Sequence, residues 1–165
     1  VRVPFIVRWD DRVAPGGVDA TPTQLFDLYP TLVAVAGGAV PDGHAVDGVD
    51  LSSRWRSADA AVSDRPLFWH FPGSLEASSR KGTWRTTPVS VVREGQLKAM
   101  FFYETRSWVL YDLAADINES KDLSEARPAD LARLASTLCG WLDRTEALMP
   151  RDLDGGEVAR PAAPQ

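Results

Sequence analysis

A chain of 165 residues is long enough to bury one sizeable core. Hydrophobic residues at 44% and charged residues at 25% are the balance of an ordinary globular protein, and six tryptophans can supply large buried areas. A formal net charge of -5 argues against a nucleic-acid partner, which usually requires a basic face, and no apolar stretch reaches the roughly 20 residues that span a bilayer.

In chain order, Val1 to Trp9 reads as a strand, because Val3, Phe5, Ile6, Val7 and Trp9 suit a strand covered on both faces. The chain opens inside this apolar run without an initiator Met, which reads as the start of a fragment. Pro15-Gly16-Gly17 is turn chemistry. Leu25, Leu28, Tyr29 and Leu32 recur at helical spacing, but Pro30 lacks an N–H and belongs near a first turn. The expectation is therefore an irregular turn over 23–28 and a short helix over 30–36, stopped by Gly37-Gly38. Residues 38–66 are loop-rich, with one helical turn near Leu51–Trp55.

Leu67 to Phe71 is strand-like, and residues 72–88 form a long polar connection rich in Ser, Thr, Gly and Arg. Val89–Arg93, Gln96–Tyr103 and Trp108–Leu113 follow as strands whose short separations suit hairpins, which makes them antiparallel neighbours. Pro128 and Asp130 fit a helix start, and Leu131, Leu134, Ala135, Leu138, Trp141 and Leu142 line one face of that helix. Residues 151–165, rich in Gly, Pro, Ala and charge, are expected to be disordered. The fold class that follows is α/β (α+β): a fragment of a large mixed sheet with a short helix, then a small antiparallel sheet of three to four strands packed by a C-terminal helix. The expected division is 1–66, 67–150 and a tail over 151–165.

Cys139 is the single cysteine, so no internal disulfide can form, and its place beside Leu138 on the last helix reads as a buried structural thiol. One Cys and two scattered His residues do not make zinc-ligand spacing. Asp27 stands where a carboxylate can accept backbone N–H groups at a helix start. Arg93 and Lys98 flank the Glu94-Gly95 turn as surface residues or ion-pair partners.

Several strings carry more than periodicity when taken in order. They are Arg2-Val3-Pro4-Phe5-Ile6, Asp27-Leu28-Tyr29-Pro30-Thr31-Leu32, Asp47-Gly48-Val49-Asp50-Leu51 and Leu67-Phe68-Trp69-His70-Phe71-Pro72. Val92-Arg93-Glu94-Gly95-Gln96-Leu97-Lys98, Leu110-Tyr111-Asp112-Leu113 and Met149-Pro150 complete the series. Together they resemble the C-terminal half of the type I sulfatases of the alkaline-phosphatase-like superfamily, over roughly Val1 to Pro150, and the aromatic string is most similar to bacterial sulfatases of sulfated glycans and aryl sulfates.

That resemblance implies hydrolysis of sulfate esters by the whole enzyme. It implies a formylglycine made from a Cys or Ser in a Cys/Ser-x-Pro-x-Arg motif, a calcium ion polarising sulfate oxygens, and a periplasmic or secreted setting. Cys139 is followed by Gly140-Trp141-Leu142-Asp143 and does not match the nucleophile motif. The formylglycine and calcium site are therefore expected in a missing N-terminal catalytic domain, and this polypeptide by itself is expected to be inactive. Arg2 corresponds by resemblance to an Arg beside that site. The residues expected to contact a sulfated carbohydrate or aryl sulfate are His70, with a backbone-bonded His as the alternative, and Arg80, Lys81 and Arg85 in the polar connection, where Trp84 adds a ring. The alternatives are a phosphatase or phosphodiesterase of the same superfamily, or a non-catalytic carbohydrate-binding module. The last needs exposed aromatic rings among Trp69, Trp84 and Trp108.

Overall fold

The computed structural model describes residues 3–62, 64–78, 83–152 and 154–164. Contacts divide the chain into two units, Val1–Ser63 and Asp64–Gln165. In the first unit a 3-10 turn, Leu25–Asp27, runs directly into α1, Leu28–Val35, and α2 covers Ser52–Arg56. Pro30 falls in the first turn of α1, where its missing N–H costs no bond.

What holds this unit is polar. Asp27 is fully buried; its Oδ2 accepts the Gln24 N–H at 2.7 Å and its Oδ1 accepts the Val49 N–H at 3.0 Å. Thr31, also fully buried, donates to the Asp27 carbonyl at 2.6 Å and accepts the Leu51 N–H at 2.9 Å. Gly48 crosses over the Phe26 carbonyl so closely that a Cβ there would lie 2.3 Å from the oxygen. The Asp27-to-Leu32 and Asp47-to-Leu51 strings are thus the two halves of one clamp. Residues 3–9, expected as a strand, form none. A strand persists only where its backbone groups find ladder partners, and the described part of the first unit supplies none. Instead Phe5 approaches Trp55 with ring centroids 6.2 Å apart, and the Arg56 guanidinium lies 5.3 Å from the Trp9 ring.

The second unit is a four-stranded antiparallel sheet in the order β1-β4-β5-β6. Its strands are β1 Leu67–Phe71, β4 Val89–Glu94, β5 Leu97–Phe102 and β6 Ser107–Asp112. Gly95 takes a φ of 55° in the two-residue link between β4 and β5, a left-handed conformation that its lack of a Cβ permits. Within the connection expected to be a loop, β2 Leu75–Ser78 and β3 Thr83–Thr86 pair as a separate antiparallel ribbon. Its Ser, Thr and Arg content lacks the apolar alternation that announces a strand.

Alternation assigns Phe68 and His70 of β1, Ser90 and Val92 of β4, Ala99 and Phe101 of β5, and Trp108 and Leu110 of β6 to one face. α3, Pro128–Arg144, covers that face with Leu131, Leu134, Leu138 and Leu142, and these residues form the core with Tyr103 and Met149. Trp141 is half-buried and stacks on Phe68 at 4.7 Å between centroids.

The tail expected to be disordered is docked. Val158 N–H donates to the Pro150 carbonyl at 2.8 Å, and Pro161 is buried. Arg160 donates to the carbonyl of Leu142, in the last turn of α3, at 2.8 Å and to that of Ala147, beyond the helix, at 3.0 Å. Composition misleads here because a Pro-rich segment needs few backbone donors and can rest on side chains of the domain it follows.

Candidate functional site

Among the residues expected to meet substrate, His70 is placed at the end of β1. Its Nε2 lies 2.7 Å from the Leu148 carbonyl, which can only accept, so Nε2 carries a hydrogen. Its Nδ1 lies 2.7 Å from Ser90 Oγ, which in turn is 2.8 Å from Tyr103 Oη. The Tyr103 hydroxyl reaches Met149 Sδ at 3.7 Å, and burial first of all pushes its pKa up. Both imidazole nitrogens are thereby occupied within the chain. His70 ties β1 to the segment after α3, as the backbone-bonded alternative has it.

Arg80 and Lys81 lie outside the described residues, as does Arg2. Arg85 and Trp84 are on β3 by their backbone, and their side chains also lie outside the description. Of the four expected contacts, His70 is the one whose side chain is described. Trp69 and Trp108 are half-buried.

Lys98 is only 8% exposed, and its Nζ bonds both carboxylate oxygens of Glu119 at 2.7 Å, so the ion-pair alternative applies to it. Asp116 accepts the N–H groups of Lys121 at 2.8 Å and Ser120 at 2.7 Å, and these bonds, Lys121 first, hold its carboxyl below the usual range. Asp122 accepts the Leu110 N–H at 3.0 Å. These carboxylates organise the loop between β6 and α3. Among the described residues, no three His, Cys, Asp or Glu side chains converge as metal ligands. Cys139 donates its thiol to the Pro161 carbonyl at 3.1 Å, and burial, followed by the Asp143 charge, pushes its pKa up. Neither a calcium donor set nor an activated sulfur nucleophile fits the residues described.

Sequence reasoning missed the contribution of the tail. Val158, Arg160, Pro161, Ala162 and Pro164 wall a groove of about 280 Å³ over Phe101 and Trp108. No residue pattern announces it, because the tail and the sheet meet only in three dimensions.

Comparison with known proteins gives these parts a common context. A profile described as "N-sulphoglucosamine sulphohydrolase, C-terminal" matches residues 1–146. A sulfatase of Formosa agariphila is 32% identical over 161 residues, which is 89% of this chain and 28% of that protein. The N-acetylgalactosamine-6-sulfatase of Canis lupus familiaris is 28% identical over 124 residues, covering 75% of this chain and 21% of the relative. The crystal structure of Ps i-CgsB superimposes with a TM-score of 0.64 at 24% identity, over 81% of this chain and 27% of that one, and shows a shared fold. The chain thus spans between a fifth and a third of the length of these proteins.

Proposed function

From the premise that the chain belongs to the N-sulphoglucosamine sulphohydrolase C-terminal family, we propose that it is the C-terminal body of a sulfatase hydrolysing sulfate esters of glycans. The reaction centre, with its formylglycine and calcium, then resides in a catalytic portion that this chain does not contain. Arg80, Lys81 and Arg85 would meet the sulfated substrate, and His70 would brace β1. The reading carries with it a periplasmic or secreted setting.

The observation that supports this reading most is the inverted helix of the first unit. Leu25, Tyr29 and Leu32 are 82%, 45% and 55% exposed at helical spacing, whereas Asp27 and Thr31 on the opposite side are 0% exposed. An ordinary surface helix buries its apolar stripe. Val3, Phe5 and Ile6 are exposed as well. An apolar surface of this extent on a small unit suits contact with a further body, and relatives of more than three times the length point to the α/β catalytic portion of a sulfatase as that body.

The test compares Leu25→Glu/Leu32→Glu in this chain and in a longer polypeptide carrying the upstream portion. The chain alone is expected to unfold at an unchanged temperature. The longer polypeptide is expected to lose both thermal stability and sulfate-ester hydrolysis. Equal tolerance in both would overturn the reading.

A further inference from the structure

The groove beneath the tail has three features that its role in packing does not require. The first is its floor. Trp108 is held against Phe101 with ring centroids 5.0 Å apart, and its indole N–H donates to the Ala162 carbonyl at 3.0 Å. The ring is fixed before any ligand arrives, so little freedom is lost on stacking. The second is its walls. Pro161 and Pro164 line the groove with aliphatic rings that offer no backbone N–H. The third is Arg106 at the tip of the β5–β6 hairpin. It adopts a φ of 51°, a left-handed conformation that disfavours residues carrying a Cβ, yet the position holds a long cation.

Two arginines border the groove and they differ. Arg160 has its charge engaged by the Leu142 and Ala147 carbonyls and by Asp143 at 3.6 Å. Arg106 is exposed, and none of the ion pairs or side-chain hydrogen bonds among the described residues involves it. A guanidinium beside a fixed indole and proline rings can recognise an anionic ring whose apolar C–H face stacks while its acid group meets the planar donors. The volume of about 280 Å³ falls just below the roughly 300–1,000 Å³ typical of drug-sized sites, and suits a single sugar ring.

We propose that this groove is a binding subsite for a sulfated monosaccharide unit, with the sulfate on Arg106 and the pyranose face on Trp108. It is built largely from residues 158–164, beyond the 1–146 stretch that the family shares, so it belongs to this chain rather than to the catalytic plan. The choice of a sulfated sugar over another anionic ring rests on the sulfatase reading above. The site would hold one unit of a longer chain while another is cleaved elsewhere.

The test is a titration of the 165-residue chain followed by the indole N–H resonance of Trp108, assigned with Trp108→Phe. The probes are N-acetylgalactosamine 6-sulfate, unsulfated N-acetylgalactosamine, and inorganic sulfate. The sulfated sugar is expected to shift the resonance and to bind at least tenfold more tightly than either control. Arg106→Gln is expected to lower that affinity at least tenfold with thermal unfolding unchanged, and Arg106→Lys to retain part of it. No shift, equal binding of the unsulfated sugar, equal binding of sulfate alone, or indifference to Arg106→Gln would each overturn the subsite. Turnover is not read in this titration, so the subsite can fail while the sulfatase reading stands, and the reverse.

Discussion

Asp27 shows how one side chain can hold a unit that buries little apolar surface. Its carboxylate satisfies two backbone N–H groups 25 residues apart, at Gln24 and Val49. Removing it leaves a buried donor at Gln24 and a half-buried one at Val49 without that partner. Asp27→Ala is expected to cost roughly 2–3 kcal/mol, the scale of lost hydrogen bonds to a charged group, as read from denaturant unfolding. A shift under a few tenths would place the clamp's strength elsewhere. The position was legible in the sequence as an acceptor at a helix start. Its second partner was not, because Val49 approaches only after Gly48 lets two backbones cross.

Asp19 gives a pH signature in the same unit. Its carboxyl accepts Nε and Nη2 of Arg54 at 3.0 and 3.1 Å, which lowers its pKa from 3.8 to about 2. A carboxyl depressed in the folded state contributes stability above its unfolded pKa and loses it as pH falls toward the folded value. Unfolding temperature is therefore expected to drop between about pH 4 and pH 2. Asp19→Asn should remove part of that drop. An identical acid profile in the variant would show that the pair, which is partly solvent-exposed, carries no stability.

Among elements, the four strands and α3 were written plainly in alternation and in the Leu131-to-Leu142 stripe. The β2–β3 ribbon and the docked tail were not, since both are made of polar, Gly or Pro-rich sequence whose order comes from neighbours rather than from its own period. The Val1–Trp9 strand was read from real apolar character, but a strand is a relation between segments, and the described part of this unit lacks its partner. The tail's docking has a direct readout in Cys139, whose thiol lies under the Pro161 carbonyl. Truncation after Gly156 is expected to accelerate modification of that thiol by a soluble aromatic disulfide several-fold, since the residue becomes more accessible while α3 stays anchored by its leucines. An unchanged rate would mean that the tail leaves the thiol as accessible as it finds it.

At the scale of the molecule, the two units differ in kind. The second has a sheet, a covering helix and a continuous core. The first holds Asp27 and Thr31 inside and turns Leu25 and Leu32 outward. Such a unit makes sense as part of something larger, and the order of short strings along the sequence already pointed to a sulfatase. The contacts proposed for substrate stood in polar sequence that offers charge without geometry, which is why residue identity alone could not arrange them into a site. The most direct measurement is sulfate release from an aryl sulfate, by residues 1–165 alone and by a polypeptide that includes the upstream portion. The account predicts release by the longer polypeptide and none above the blank by the chain alone; hydrolysis by residues 1–165, or none by the longer polypeptide, would contradict it.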